Sequence, residues 1–437
     1  MKKRETIEGY RKTTWIVHGP AHTVKWDYSH HAVPPLTSST TYRLESVKRG
    51  ARGFAEYGRP VNDSGEPPVY IYDRLDEPTR ALLEGELAQL EGADCCLTFA
   101  SGMAAISSAL GSVLKSGDEI VAHPLLYGCT HSLFTNWYPK LGIRVVRADF
   151  TDPKAVARAI TPKTRVLYFE SPVNPTLELV DIAAVRSLCD AANRGRKPGR
   201  KVLSVIDNTF ATPFCQRPLE HGADIVVHSL TKNIGGFGTE VGGALVCSRE
   251  RYPEAILFRK DFGGILSSKS AWSILVYGLP TLPLRIKRQQ YSALRVARFL
   301  ESHPLVDEVS YPGLPSFPQR ALARRQMKDF DGDFAPGNMI YFRVKKSLLD
   351  PVQFVDDVAS RAYSVTLAVS LGHVKTLIEL PSGMTHSAYA CGGAMRTVDG
   401  IRLSIGLESP SDIIKDLDAS LKRVARNPKA KALAPSR

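Results

Sequence analysis

Residues 203–208, LSVIDN, and residues 225–243, IVVHSLTKNIGGFGTEVGG, decide the fold. Each stretch opens on a short β-branched run and closes on polar residues, Asp207-Asn208 in the first and His228-Ser229 in the second. Apolar runs that do not alternate with polar residues fit strands buried on both faces of a parallel sheet. Ligands of open α/β sheets gather at the carboxyl edge of the strands. Asp207 stands at that edge, where a buried carboxylate is costly unless a cation meets it. Lys232 follows the next strand in a turn rich in Ser, Thr and Gly, and burial there would lower its pKa and expose a nucleophilic amine.

Outward from this stretch, β-branched runs alternate with helical spacing from residue 77 to about 250. The candidate strands are 97–100, 119–123, 144–149, 165–170, 203–208, 225–230 and 243–248, and helical patterns cover 79–91, 102–114, 152–159 and 181–192. That order predicts a seven-stranded, mostly parallel sheet in an α/β domain. A long connecting helix is expected over 282–301. Strands at 339–343 and 400–405 and helices at 351–359 and 410–425 then describe a smaller C-terminal α+β domain. Residues 1–76, rich in Pro, Gly, Ser, Tyr and His without a sustained period, read as an extended arm. The expected organisation is an arm over 1–76, an α/β domain over 77–283 and an α+β domain over 284–437.

Composition narrows the partners. The chain has 437 residues and a formal charge of +13, much of it in chain ends such as residues 422–437, which contain no acidic residue. No base-reading motif accompanies that charge, so no nucleic acid is expected. The seven cysteines include no C-x-x-C pair, which argues against a disulfide framework or a metal site. The absence of a long apolar segment and of a secretory signal pattern makes the expected protein cytoplasmic and free of membrane.

The chemistry-bearing residues point to one cofactor. A protonated pyridine nitrogen is a suitable cation for Asp207, and holding that proton lets the ring accept electrons from a carbanion. Ser229 and Thr231 offer hydroxyls to a phosphate beside Lys232. Residues 100–104, ASGMA, pass from a strand into a helix, where small residues let backbone N–H groups approach an anion. Pyridine, phosphate and an imine-forming lysine together describe pyridoxal 5'-phosphate (PLP).

From about residue 30 to about residue 425 the chain resembles the Cys/Met-metabolism PLP family of cystathionine γ-synthases, cystathionine lyases, acylhomoserine sulfhydrylases and methionine γ-lyases. The resemblance rests on an ordered set of motifs: IYDRLDEPT, FASGMAAI, LLYGCT, FESPVNPT, VIDNTFATP, HSLTK, AVSLG, PSGMTHS and IRLSIGLE. It implies the type I fold of PLP enzymes. It makes Lys232 the imine lysine and general base, Asp207 the partner of the pyridinium, and Ser101, Gly102, Met103, Ser229 and Thr231 the phosphate ligands. Tyr127 would stack on the ring and assist proton transfer. Tyr72 and Arg74 would reach the phosphate of a neighbouring subunit, which implies a homodimer or homotetramer with the arm at the contact. Arg402 would grip the substrate carboxylate, completed by Asn174 and the Ser370 backbone.

Within the family, three features resemble the methionine γ-lyases: Cys129 after Tyr127-Gly128, Val369 where cystathionine γ-lyases place a Glu, and the Lys260-Asp261 pair. The implied reaction is α,γ-elimination, giving 2-oxobutanoate, ammonia and a thiol. Against it, Asp73 and Glu77 depart from the usual SRxxNPT, Asn233 stands for a frequent aromatic and Phe237 for a frequent His. The GGxGT run is nearer the sulfhydrylases. The alternatives are γ-replacement on O-acylhomoserine, as in a sulfhydrylase or cystathionine γ-synthase, and cleavage of cystathionine. A non-catalytic PLP-binding regulator would need a DNA-binding domain, for which no segment is left. The resemblance makes Cys129 a substrate-binding residue, and the alternative is a buried small hydrophobe.

Overall fold

The computed structural model describes residues 10–18, 32–59, 68–384 and 398–426. Residues 385–387 of the PSGMTHS motif, Cys391 and the basic tail from 427 onward lie outside the described residues.

The larger sheet has seven strands: β1 (Cys95–Phe99), β2 (Glu119–Ala122), β3 (Arg144–Arg147), β4 (Thr164–Glu170), β5 (Leu203–Asp207), β6 (Ile225–Ser229) and β7 (Gly243–Cys247), in the order β1-β7-β6-β5-β4-β2-β3. Strands β3, β2, β4, β5 and β6 are mutually parallel, and β7 runs antiparallel to both β6 and β1. Two reversals bring β1 back parallel to β6, so the ends of β1, β4, β5 and β6 share one edge. Along β4 every residue is buried. Its Val166 and Tyr168 face one apolar cluster, and Leu167 and Phe169 face another. Helices on both faces explain why these strands carry unbroken apolar runs.

The smaller sheet contains β8 (Val306–Ser310), β9 (Met339–Val344), β10 (Val365–Leu367), β11 (Thr376–Glu379) and β12 (Ile401–Ser404), in the order β10-β11-β12-β9-β8. Strands β8, β10 and β11 were not expected. They are short, and β8 carries the exposed Asp307 and Glu308, so none shows a strong apolar period. Ile378, Ile401 and Leu403 point into this domain's core. Alternation along the strand then sends Arg402 to the other face, toward the large sheet.

The connecting helix begins earlier than its spacing predicts. An α-helical turn at Ser268–Ser273 passes through a π-helical turn at Ile274–Gly278 into the helix Leu279–Ser302, with Pro283 inside it. Proline reads as a breaker in sequence. In the π turn just upstream of Pro280 and Pro283 the Leu279 N–H bonds to the Ile274 carbonyl, so the chain stays helical on its way to the prolines.

The N-terminal arm is less extended than expected, since it holds helices at Lys12–His18 and Val47–Glu56. The second is capped by Ser46, whose side chain accepts from the Arg49 N–H, a signal too short to produce a visible period. Among the described residues, no helix is long and apolar enough to cross a membrane.

Candidate functional site

A cavity of about 630 Å³ lies at the shared strand edge and is lined by residues of both sheets and of the loops around them. Its wall includes Ser101, Gly102, Met103, Tyr127, Asn174, Asp207, Ser229, Thr231, Lys232, Ser370 and Arg402. These residues are spread over three hundred positions of sequence and meet because the strand ends meet.

The end built by the large sheet suits an anion and a pyridinium. Ser101 caps the helix Gly102–Gly111, its hydroxyl accepting from the Ala104 N–H at 3.1 Å. That leaves the Gly102 and Met103 N–H groups at the positive end of the helix. Gly102 is required by close approach: a Cβ there would lie 2.9 Å from Ser229 Cβ. Thr231 Oγ1 accepts from the Gly242 N–H at 3.1 Å and donates to the Gly242 carbonyl at 3.4 Å, a long bond that an anion at the helix start can replace. Asp207 ends β5 with its carboxylate accepting from the Thr209 N–H at 3.0 Å. Burial pushes this carboxyl above the ordinary range, with the Thr209 hydrogen bonds opposing.

Lys232 stands between the two ends. Its Nζ donates to Ser370 Oγ at 2.7 Å. Burial, aided by the positive charge of Arg402, lowers its pKa to about 8, while Glu379 and Asp207 pull the other way.

The end built by the small sheet suits a carboxylate. Arg402 Nη1 donates to Asn174 Oδ1 at 2.9 Å and Nη2 donates to Ser370 O at 2.8 Å. Ser370 adopts φ +94°, a left-handed backbone that a serine rarely takes and that turns its carbonyl toward Arg402. Arg402 is buried in β12 and pairs with Glu379 of β11 at 2.8 Å.

Tyr127 borders the same cavity, and its backbone N–H donates to the carboxylate of Glu170 at the end of β4. Burial, then the hydrogen bond from Cys129, raises the Tyr127 phenol well above its usual value. Cys129 is exposed rather than buried, and its thiol donates to the Tyr127 hydroxyl at 3.4 Å without joining the cavity wall. Glu170, Thr209, Phe210, Val241 and Met384 also line the cavity and were not singled out from sequence. Glu170, Thr209, Phe210 and Met384 lie inside the quoted motifs, so the motifs carry a signal that the single residues do not.

Tyr72 and Arg74 do not reach this cavity within one chain. Both are exposed, the Arg74 guanidinium lies 5.7 Å over the Tyr72 ring, and Arg74 donates to the Lys260 carbonyl. The departures in this region have structural reasons. Glu77 caps the helix Pro78–Glu91, accepting from the Thr79 N–H at 2.9 Å and from Thr37 Oγ1 at 2.6 Å. Asp73 pairs with the fully buried Arg80 at 3.1 Å. Asn233 is buried and accepts from Asn338 Nδ2 at 3.0 Å, a bond between residues 105 apart in sequence that an aromatic could not make. Phe237 lies under the Arg285 guanidinium.

The donor set fits PLP on three counts: N–H and hydroxyl donors at a helix start, a half-buried carboxyl with no cationic side chain paired to it among the described residues, and an amine of lowered pKa between them. Comparison with known proteins agrees. The curated L-methionine gamma-lyase of Pseudomonas deceptionensis is 38% identical over 400 residues, covering 90% of this chain and 93% of that protein. The cystathionine gamma-synthase of Mycobacterium bovis is 38% identical over 387 residues, covering 89% and 91%. The crystal structure of cystathionine gamma-lyase from Lactobacillus plantarum complexed with L-serine superposes with a TM-score of 0.81 at 32% identity, covering 95% of this chain and 99% of that one. Residues 13–422 match the family described as Cys/Met metabolism PLP-dependent enzyme, and the chain belongs to that family of PLP-dependent lyases and synthases of sulfur amino acid metabolism.

Proposed function

We propose that the protein is a carbon–sulfur lyase of the methionine γ-lyase kind, releasing 2-oxobutanoate, ammonia and a thiol from amino acids with an uncharged γ-substituent. The observation that supports this reading is the wall beyond Lys232, where Val369, Val241 and Met384 present apolar surface. Among the described residues lining the cavity, the carboxylates are Glu170 and Asp207, both at strand ends of the large sheet. A distal ammonium such as that of cystathionine would therefore lose water without gaining a partner, whereas a thioether loses nothing.

When bound, PLP supplies an electron sink for charge developing at the substrate Cα. In this reading Asp207 holds the proton on the pyridine nitrogen, and Ser101, Gly102, Met103, Ser229 and Thr231 hold the phosphate. Lys232 takes the Cα proton, for which a pKa near 8 keeps much more free amine at neutral pH than an ordinary lysine has. Arg402, with Asn174 and Ser370, holds the substrate carboxylate. Tyr127 stays protonated because its pKa is raised, which suits it to deliver a proton to the leaving sulfur. Tyr72 and Arg74 serve the phosphate of a neighbouring subunit in a homodimer or homotetramer, with the arm over 1–76 at the contact. Mixed subunits carrying Arg74→Ala and Lys232→Ala should then regain activity, and no recovery despite verified mixing would place both residues in one chain's site.

The deciding experiment incubates the protein with L-methionine, L-cystathionine, L-homocysteine and O-acetylhomoserine, with and without sulfide, and measures 2-oxobutanoate and thiol. Methionine should lead in kcat/KM, followed by O-acetylhomoserine, with cystathionine behind. Val369→Glu should narrow the gap between methionine and cystathionine by about 1.5–3 kcal/mol, the scale of a hydrogen bond to a charged group. Wild-type turnover of cystathionine as efficient as that of methionine would replace this reading by cystathionine cleavage. The similarity to a cystathionine gamma-synthase supports a second reading, γ-replacement, and sulfide-dependent homocysteine formation from O-acetylhomoserine would reveal that activity.

A further inference from the structure

Arg402 and Glu379 are Cα partners on adjacent antiparallel strands, so their side chains share the face turned away from the small domain's core. The pair is 2.8 Å apart, and both residues are almost fully buried. Arg402 borders the cavity and Glu379 does not. The plane of the guanidinium is already set by two uncharged acceptors, Asn174 Oδ1 and Ser370 O. What Glu379 adds is charge. A carboxylate arriving at Arg402 is drawn by the guanidinium and repelled by the carboxylate behind it, in a setting where water screens neither. An amino acid has a second anchor through its amino group. A 2-oxo acid has lost that anchor and depends on Arg402 alone.

We propose that Glu379 is a positioning residue that balances the charge of Arg402 and keeps its hold on carboxylates weak, so that a monocarboxylate without an α-amino group leaves the pocket. That chemical class includes the 2-oxo acid product. The inference rests on the reading of Arg402 as the carboxylate grip. Other charges face the same guanidinium, with Lys232 adding to its pull on an anion and Glu170 opposing it.

The test titrates butanoate, a monocarboxylate with no amino group, into the PLP-loaded enzyme by calorimetry. Wild type should bind it weakly, with a Kd on the order of 1 mM or above, about 4 kcal/mol of binding at most. A Kd in the micromolar range overturns the proposal without any variant. Glu379→Gln keeps the shape and an acceptor oxygen and removes the charge, and it should tighten butanoate about ten-fold. Glu379→Asp retains the charge and should stay near wild type, which separates charge from packing. A purely structural role predicts weaker binding in both variants. Equal or weaker binding in Glu379→Gln, while Arg402→Gln still loses binding, overturns this inference alone. Unchanged binding in Arg402→Gln overturns it together with the assignment of the grip.

Discussion

Asp207, half-buried, and Arg402, buried, are charges at opposite ends of one cavity, and they are treated in opposite ways. Asp207 accepts from the Thr209 N–H, and no cationic side chain among the described residues pairs with it. Burial accordingly pushes its carboxyl toward the neutral form. Arg402 brings its own counter-ion, Glu379, and two neutral acceptors. An unmatched buried carboxyl marks a place prepared for a cation that arrives with a ligand. A matched guanidinium marks a place where an anion is held lightly. The first arrangement suits a cofactor that stays, and the second suits substrates and products that exchange.

The sharpest way to break this contrast is to neutralise each end. Asp207→Asn should lower kcat/KM by roughly 10²–10⁴-fold, the consequence of losing about 3–5 kcal/mol from one charge pair in the loaded enzyme. Arg402→Gln should act mainly on KM, raising it about 10–100-fold for the loss of about 1.5–3 kcal/mol. The cofactor-free protein should respond with opposite signs. Asp207→Asn removes a carboxyl that lacks a counter-ion and raises Tm, whereas Arg402→Gln takes a cation away from the buried Glu379 and lowers it. Melting curves that move in the same direction would remove the distinction drawn between the two ends.

A smaller effect is expected in the pH dependence of cofactor uptake, followed by absorbance after PLP is added to the cofactor-free protein. Only the free amine of Lys232 reacts, so the rate should rise with pH and reach half its maximum near pH 8. An ordinary lysine would place that midpoint near 10.5. Asp207 and Glu379 each raise the Lys232 pKa and Arg402 lowers it. The midpoint should therefore fall in Asp207→Asn and Glu379→Gln and rise in Arg402→Gln. A midpoint indifferent to all three would show that these charges do not reach Lys232.

The sequence by itself determined the elements whose signal is local. A β-branched run closing on Asp207, a Ser-Gly step into a helix and a lysine framed by Ser229 and Thr231 can each be read from a few adjacent residues. Strand burial and helix-end geometry follow from residue type and period alone. The large sheet and its cofactor edge were legible for that reason. The arm's second helix and the early start of the connecting helix were not, because one rests on a single Ser46 cap and the other on a π turn upstream of Pro280 and Pro283. Only the tertiary structure decided the substrate end. Arg402 and Asn174 are 228 residues apart, Lys232 and Ser370 are 138 apart, and Glu379 meets Arg402 through the register of β11 on β12. Cross-strand register and the packing of one sheet against another are set by how whole surfaces fit. No local pattern around Glu379 states that its carboxylate is the one beside Arg402.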